Sequence, residues 1–188
     1  VLTQASEVKT IAVVGAGPAG LEAAWAAAAR GHDVTLFGSS GRVGGKLRLD
    51  SLLPGRSEMA KIIDYQARLL ESHGVRQMLG QVAGVDDILA IAPDAVVLAT
   101  GGTLRRPMGL AADAAPIIDG HGYIQEPSRG KTALLFDQDH SPTVYGLADL
   151  MAQRFKRLVL VTPRPGIGQN VNYCSAIGVH RRLHVAGV

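Results

Sequence analysis

The sequence predicts an α/β fold: a doubly wound parallel sheet, followed by part of a second, similar unit. Three observations predict it. Short apolar runs at residues 11–14, 33–37, 95–99 and 132–136 alternate with segments of helical period, as in sheets covered on both faces by crossover helices. The 23 glycines in 188 residues exceed the roughly 7% of average usage and gather in short motifs with no collagen period. A strand, turn, helix, strand sequence also occurs twice, once in each half.

The first strand is Ile11-Ala12-Val13-Val14, after a polar lead. Its continuous apolar character is that of a parallel strand buried on both faces. Gly15-Ala16-Gly17-Pro18-Ala19-Gly20 follows, and residues 21–30 then take a helical period with Leu21, Ala24, Trp25 and Ala28 on one face. Gly31 stands where a left-handed C-cap belongs. Residues 33–37 read as the second strand. Ser57 and Glu58 start a further helix, with Ile62, Ile63, Leu69 and Leu70 at helical spacing and His73-Gly74 closing it. Residues 95–99 read as another buried strand.

The glycine turn lies between a strand and a helix, the context that makes G-x-G-x-x-G a dinucleotide-binding fingerprint and the fold Rossmann-like. Gly15 permits the sharp exit from the strand. Gly17 lets the main chain approach a diphosphate, and Gly20 lets the helix pack close to the sheet. The helix N-terminus then offers unpaired N–H groups and about half a positive charge. One expected part is missing. Such second strands end in an acid that accepts from the adenosine ribose, but here Phe37 is followed by Gly38-Ser39-Ser40. Ser39 or Ser40 could bond a ribose hydroxyl, and Arg42 could meet a 2′-phosphate; alternatively, Gly38 marks a site with reduced or lost affinity.

The second half opens with an apolar strand at 132–136 and continues Asp137-Gln138-Asp139-His140-Ser141-Pro142. Ser141 suits an N-cap and Pro142 the first helical position. A helix to about residue 155 and a strand at 158–162 complete the repeat. Here acids replace the glycines. Negative charge beside the helix N-terminus would repel a diphosphate and can itself bond free N–H groups. This half reads as a nucleotide fold that has lost its nucleotide, which argues against NAD(P)H reduction.

Composition narrows the remaining choices. Hydrophobic residues at 47% and charged residues at 19% suffice for a core. The single cysteine, Cys174, excludes a disulfide framework, an iron–sulfur cluster and a thiolate zinc site within the chain. It reads as a small buried hydrophobe, with no Cys-His-Asp order to recommend catalysis. A net charge of +3 without a basic block gives no reason to expect nucleic acid, and no run approaches the about 20 apolar residues of a membrane span. His180 and His184 lie four apart on an expected helix but lack a third ligand nearby in sequence, so we expect no metal site. No paired carboxylates are set up for acid–base chemistry, so no catalytic residue is assigned. Gly130-Lys131-Thr132 lacks the glycine a P-loop needs five positions earlier, where Gln125 stands.

Residues 11–24, with Val43-Gly44-Gly45-Lys46-Leu47, Pro54-Gly55-Arg56 and Ala99-Thr100-Gly101-Gly102, resemble the C-terminal nucleotide-binding region of a flavoenzyme group. That group contains trimethylamine, dimethylamine and histamine dehydrogenases, amine demethylases and 2,4-dienoyl-CoA reductase. The resemblance runs from about Lys9 to the end. It implies that Gly45, Lys46 and Leu47 meet flavin or ADP through their backbone, and that Ala99, Thr100 and Gly101 line the same site. Group members usually carry Glu at the position of Gly38, so this chain departs from the pattern at the ribose contact. The resemblance also implies a parent oxidoreductase oxidising its substrate at FMN in a separate barrel with a [4Fe-4S] cluster. Neither the barrel nor the cluster cysteines occur in this sequence. The second half is more similar to the amine dehydrogenases, whose corresponding domain lacks the fingerprint, than to the NADPH-using reductase.

The expected organisation is therefore a first domain at 1–104, a Pro- and Gly-containing crossover at 105–130 with Pro107, Pro116 and Pro127, and a truncated second domain at 131–188. A start at Val1 and an end at Gly187-Val188 suggest an excised piece. The expected ligand is ADP or the ADP half of FAD, bound by Gly15, Ala16, Gly17, Pro18, Ala19, Gly20, Ser39, Arg42, Gly45, Lys46, Leu47, Ala99, Thr100 and Gly101. Expected partners are an adenine nucleotide and the barrel of the parent; a homo-oligomer stays open, and the expected compartment is cytoplasmic. Two alternatives differ in class: the FAD/NAD(P)H-binding half of a dienoyl-CoA-reductase-like enzyme, and a structural module with an empty nucleotide site.

Overall fold

The structure, a computed structural model, describes residues 2–104 and 116–188, and the chain divides into two units. Unit 1 takes Val1–Arg48 and Glu58–Leu104. In chain order its elements are β1 (Thr10–Val14), α1 (Pro18–Ala29), β2 (Asp33–Gly38), α2 (Leu47–Asp50, running past the unit's edge), a 3-10 turn (Ser57–Met59), α3 (Ala60–Ser72), β3 (Arg76–Leu79), α4 (Val85–Leu89) and β4 (Ala95–Leu98). The sheet order is β3-β2-β1-β4 with every pair parallel. Val14 stands beside Phe37 on one side and Leu98 on the other. The chain thus steps from β1 outward to β3 and then returns to the far side of β1. That reversal opens a crevice at the C-terminal ends of β1 and β4, where ligands bind in doubly wound sheets.

Apolar side chains on one stripe of α1 and α3 fill the space over this sheet. Leu21 and Ala24 of α1, Leu70 of α3 and Val13 and Leu36 of the strands are completely buried together. Gly31, at φ +96°, turns the chain out of α1 and donates its N–H to the Ala28 carbonyl, as the expected left-handed C-cap requires. Between the helices, buried Gln66 donates to the Pro18 carbonyl (3.1 Å) and to Glu22 (2.9 Å), which also accepts from the Trp25 indole (2.8 Å). The helix predicted from Ser57 begins with a 3-10 turn and becomes α-helical at Ala60. Strand β4 differs from expectation in burial. Val96 is 46% exposed and Leu98 76%, and among the described residues β4 pairs with β1 alone.

Unit 2 takes Leu49–Ser57 and Arg105–Val188, so nine residues within the stretch expected to be one continuous first domain pack elsewhere. Leu53 is the reason: its side chain is 2% exposed within the core formed by Tyr145, Ala148, Met151, Leu158 and Leu183. The elements are α5 (Gly120–Gln125), β5 (Gly130–Phe136), α6 (Pro142–Ala152), β6 (Phe155–Val161) and α7 (Tyr173–Val185). β5 and β6 pair in parallel, Thr132 beside Arg157 and Phe136 beside Val161. Part of the expected crossover, 105–115 with Pro107, lies outside the described residues. The rest of it holds α5, which starts where the Asp119 carboxylate accepts from the Gly122 N–H (2.9 Å). Cys174, expected to be buried, is exposed, since it occupies the first turn of α7, while the buried stripe of that helix is carried by Val179 and Leu183. Among the described residues no helix is long and apolar enough to cross a membrane.

Candidate functional site

The turn after β1 is built from close backbone approaches. Gly15, at φ +115°, donates its N–H to the Phe37 carbonyl (2.8 Å). A side chain there would meet the Ala99 carbonyl oxygen at 2.1 Å, so the glycine brings the ends of β1 and β4 together. A side chain at Gly20 would sit 1.8 Å from the Gly15 carbonyl oxygen, which is how α1 comes down onto the turn. Gly17 is different. It is the N-cap of α1, and a Cβ there would find nothing within 4 Å. Packing of the chain explains Gly15 and Gly20; the freedom at Gly17 faces open space.

That space lies at a helix start with no side-chain cap and no acid in its first turn. Pro18, at the first helical position, brings φ suited to the helix and no N–H. The N–H groups at such a terminus are available to an anion, reinforced by the helix dipole.

The second glycine loop closes over this turn. Gly44, at φ +106°, donates to the Ala16 carbonyl (2.7 Å), and a side chain at Gly45 would meet the Gly17 Cα at 2.9 Å. Lys46 donates from Nζ to the Gly102 carbonyl, joining this loop to the stretch after β4. Gly15, Ala16, Gly17, Pro18, Gly20, Gly45, Lys46, Ala99 and Thr100 thus converge on one crevice. Gly101, at φ +74°, turns the chain beyond it, with open space around its Cβ position. Exposed Ala19 lies in the first turn of α1, and Leu47 is half-buried at the start of α2.

Ser39 and Arg42 lie on the exposed stretch between the end of β2 and the glycine loop. Gly38 itself is buried, and a Cβ there would meet Leu79 Cδ2 at 2.7 Å and Ala16 Cβ at 2.8 Å. Leu79 and Ala16 therefore occupy the room that a side chain at position 38 would use. Sequence reasoning did not connect Leu79 with this position, because β3 is short and partly polar; its pairing of Gly38 with Leu79 is visible only in the sheet register.

The corresponding turn of unit 2 is filled by its own side chains. Asp137 and His140 are both completely buried. The Asp137 carboxylate accepts from the His140 N–H (2.8 Å) and from the Tyr145 hydroxyl (2.8 Å), and that hydroxyl accepts from the Gly168 N–H (2.6 Å). The His140 ring lies 3.4 Å from Asp137 through Nδ1 and 3.4 Å from the Thr162 hydroxyl through Nε2. Burial pushes the Tyr145 hydroxyl up to about 12; the Asp137 carboxylate also raises it, and the bond from Gly168 works the other way. The expected charge beside the helix is present as a buried carboxylate bonded within its own turn, while Asp139 is exposed. His180 and His184 are exposed on α7, and among the described residues no group of three or more His, Cys, Asp or Glu could hold a metal ion.

Comparison with known proteins agrees with this architecture. The Rhizobium meliloti (strain 1021) protein named "Probable N-methylproline demethylase" is 36% identical over 160 residues, covering 82% of this chain and 23% of the relative. Among solved structures, 2-naphthoyl-CoA reductase in complex with 2-naphthoyl-CoA superposes with a TM-score of 0.90 at 27% identity, over 100% of this chain and 28% of that one. Histamine dehydrogenase from Rhizobium sp. 4-9 superposes with a TM-score of 0.87 at 29% identity, over 100% and 31%. The chain therefore spans about a quarter of the length of these relatives. Residues 9–135, which include the glycine turn, the Gly44-Gly45 loop and β4, match the family described as pyridine nucleotide-disulphide oxidoreductase, and with its Rossmann-like parallel sheet the chain belongs to that family.

Proposed function

We propose that this chain is the adenine-nucleotide-binding part of a flavin-dependent oxidoreductase resembling the amine dehydrogenases and demethylases. Gly15 to Gly20 would hold the diphosphate of ADP or of the ADP half of FAD, with Gly45 and Ala99 to Gly101 closing the crevice. The open space at Gly17, beside crowded Gly15 and Gly20, carries this reading. A glycine needed only for packing would have a neighbour against its Cβ position. Bound FAD would supply a two-electron acceptor; the residues of this chain bind and orient it, and no side chain here is assigned to proton transfer.

The substrate would be oxidised in the remainder of the parent, at FMN in a barrel carrying a [4Fe-4S] cluster. A methylated amine is the substrate class suggested by the N-methylproline demethylase relative. The likeness to 2-naphthoyl-CoA reductase favours a second reading, an acyl-CoA reductase parent drawing on NAD(P)H. The Asp137 carboxylate, buried in the second turn and accepting from the His140 N–H and the Tyr145 hydroxyl, weighs against NAD(P)H at that turn, because it occupies the space and the N–H donor that a diphosphate would need.

The test is thermal denaturation of the chain with ADP or FAD. A ligand at 100 times its Kd stabilises by about 2.7 kcal/mol, so millimolar ADP should raise Tm by several degrees. Absence of any shift with either nucleotide would defeat the proposal. NADPH, added alone, should give a smaller shift than FAD; a larger one would favour the reductase parent.

A further inference from the structure

We propose that Gln66 is a positioning residue of the nucleotide site: by holding the Pro18 carbonyl it aims the main-chain N–H of Ala19 at a phosphate oxygen. The inference rests on the reading of Gly15 to Gly20 as a diphosphate cradle, and it names a residue outside the glycine motif on which that cradle depends. Ala19 lies in the first turn of α1, where N–H groups have no partner within the helix. Its N–H and the Pro18 carbonyl belong to one planar peptide group, in which the two bonds point in opposite directions. Whatever grips the carbonyl oxygen therefore aims the N–H.

Gln66 supplies that grip from α3, 48 positions further along the chain. Its Nε2 donates to the Pro18 oxygen (3.1 Å) and to Glu22 Oε2 (2.9 Å). Both partners are acceptors, which fixes the amide with its nitrogen towards α1. A bond received at the carbonyl also polarises the peptide group and strengthens its N–H as a donor. About one turn earlier on α3 stands Ile63, whose Cδ1 would lie 2.7 Å from a Cβ at Gly44, and Gly44 is bonded to Ala16. Helix α3 thus supports both glycine loops, Ile63 by packing and Gln66 by a hydrogen bond.

Stability of the fold does not account for an amide at this place. Gln66 is 5% exposed, and its Oε1 is buried with no hydrogen-bond partner among the described residues; an apolar side chain of the same length would remove that cost. Such a change would strand neither partner. The Pro18 carbonyl stands in the helical ladder of α1, and exposed Glu22 keeps the Trp25 indole at 2.8 Å. The amide leaves the core with an unpaired acceptor and serves only the start of α1.

Isothermal titration of the 188-residue chain with ADP, paired with thermal denaturation of the unliganded protein, tests the inference. Gln66→Met should bind ADP about three- to tenfold more weakly, the worth of one modest hydrogen bond, while its Tm without ligand equals or exceeds that of the unsubstituted chain. Gln66→Glu adds a pH readout. The carboxyl it introduces can donate to the Pro18 oxygen only when protonated, so the affinity deficit against the unsubstituted chain should be largest at about pH 8 and shrink towards about pH 5. Should Gln66→Glu not fold, the two measurements on Gln66→Met decide alone. Unchanged ADP affinity in Gln66→Met, a Tm that falls along with affinity, or a Gln66→Glu deficit that pH leaves untouched would overturn the positioning role while leaving the cradle standing. If the unsubstituted chain binds neither ADP nor FAD, the cradle itself is wrong and the inference falls with it.

Discussion

Gly15 and Asp137 hold equivalent positions in two units that share a strand, turn, helix, strand repeat. Each follows the last residue of a strand and donates its N–H to the end of the neighbouring strand, Gly15 to the Phe37 carbonyl at 2.8 Å and Asp137 to that of Val161 at 2.7 Å. Each turn then reaches an N-cap, Gly17 or Ser141, with proline at the next position. The unit 2 turn is longer, and a buried carboxylate, a histidine at φ +55° and a tyrosine hydroxyl fill it. In unit 1 the equivalent region holds glycine and open space. The same backbone plan can thus end in open space beside a bare helix start or in a buried cluster in which Asp137, His140, Tyr145 and Gly168 are bonded to one another.

The largest expected effect comes from forcing a side chain into the crowded part of the first turn. Gly20→Val would set a Cβ 1.8 Å from the Gly15 carbonyl oxygen, and α1 must move away from the sheet. We expect a loss on the order of 3 kcal/mol or more, beyond the usual range for overpacking because backbone has to shift, measured as the urea midpoint of the chain. Gly17→Val sharpens the contrast. Its Cβ meets nothing and its φ of −83° suits any residue, so stability should stay within about 0.5 kcal/mol while ADP affinity falls at least tenfold. Equal loss of stability in both variants would mean that the openness at Gly17 has no bearing on ligand.

In the second turn the dependence is reversed, with internal bonds replacing ligand. Tyr145→Phe removes the hydroxyl shared by Asp137 and Gly168 and leaves two buried groups without it, at a cost of about 1–3 kcal/mol. The pH dependence has a definite sign. The native Tyr145 proton is held to about 12 against an ordinary 10.0, mainly because burial disfavours the phenolate. Below pH 10 both the folded and the unfolded chain keep it, and the hydroxyl's contribution is complete. Between pH 10 and 12 the unfolded chain releases it first, so stability declines as pH rises. Denaturation at pH 9 and pH 11 should show that decline, and Tyr145→Phe should lessen it; an identical decline in both proteins would assign it to other groups.

How much of this was legible in the sequence follows from the range of each interaction. Gly31 and Pro142 act on their own backbone, so each predicted a helix end that the structure has; Ser141 stands at the expected N-cap, but its hydroxyl makes no capping bond. The alternation of runs gave parallel strands for the same reason. Strand β3 was missed because Arg76, Gln77 and Met78 carry no apolar pattern, and it exists through its register with β2. Helix α5 was missed because Gly120 and Gly122 lower helical propensity, while Asp119 and the burial of Tyr123 and Ile124 hold it. The membership of Leu49–Ser57 in unit 2 depends on contacts with residues about ninety positions away, and no local pattern announces those. At the site, the glycines marked the crevice, but that Leu79 fills the space beside Gly38, and that Tyr145 closes on Asp137, are facts of packing.

The smallest effect separates the two turns by how each is fastened. In unit 1 the exposed Lys46 ammonium reaches the Gly102 carbonyl and joins the glycine loop to the stretch after β4. Water competes for both groups, so Lys46→Met should cost less than about 1 kcal/mol of stability, well under the loss from Tyr145→Phe. ADP affinity should fall by only a few fold, because the crevice keeps Gly17 and the bond from Gly44 to Ala16. A loss of stability as large as that of Tyr145→Phe would show that both turns are locked internally, and the contrast between an open and a filled turn would then lie in shape alone. A small loss, with affinity reduced more than stability, fits a turn whose surface fastening leaves part of its ordering to the ligand.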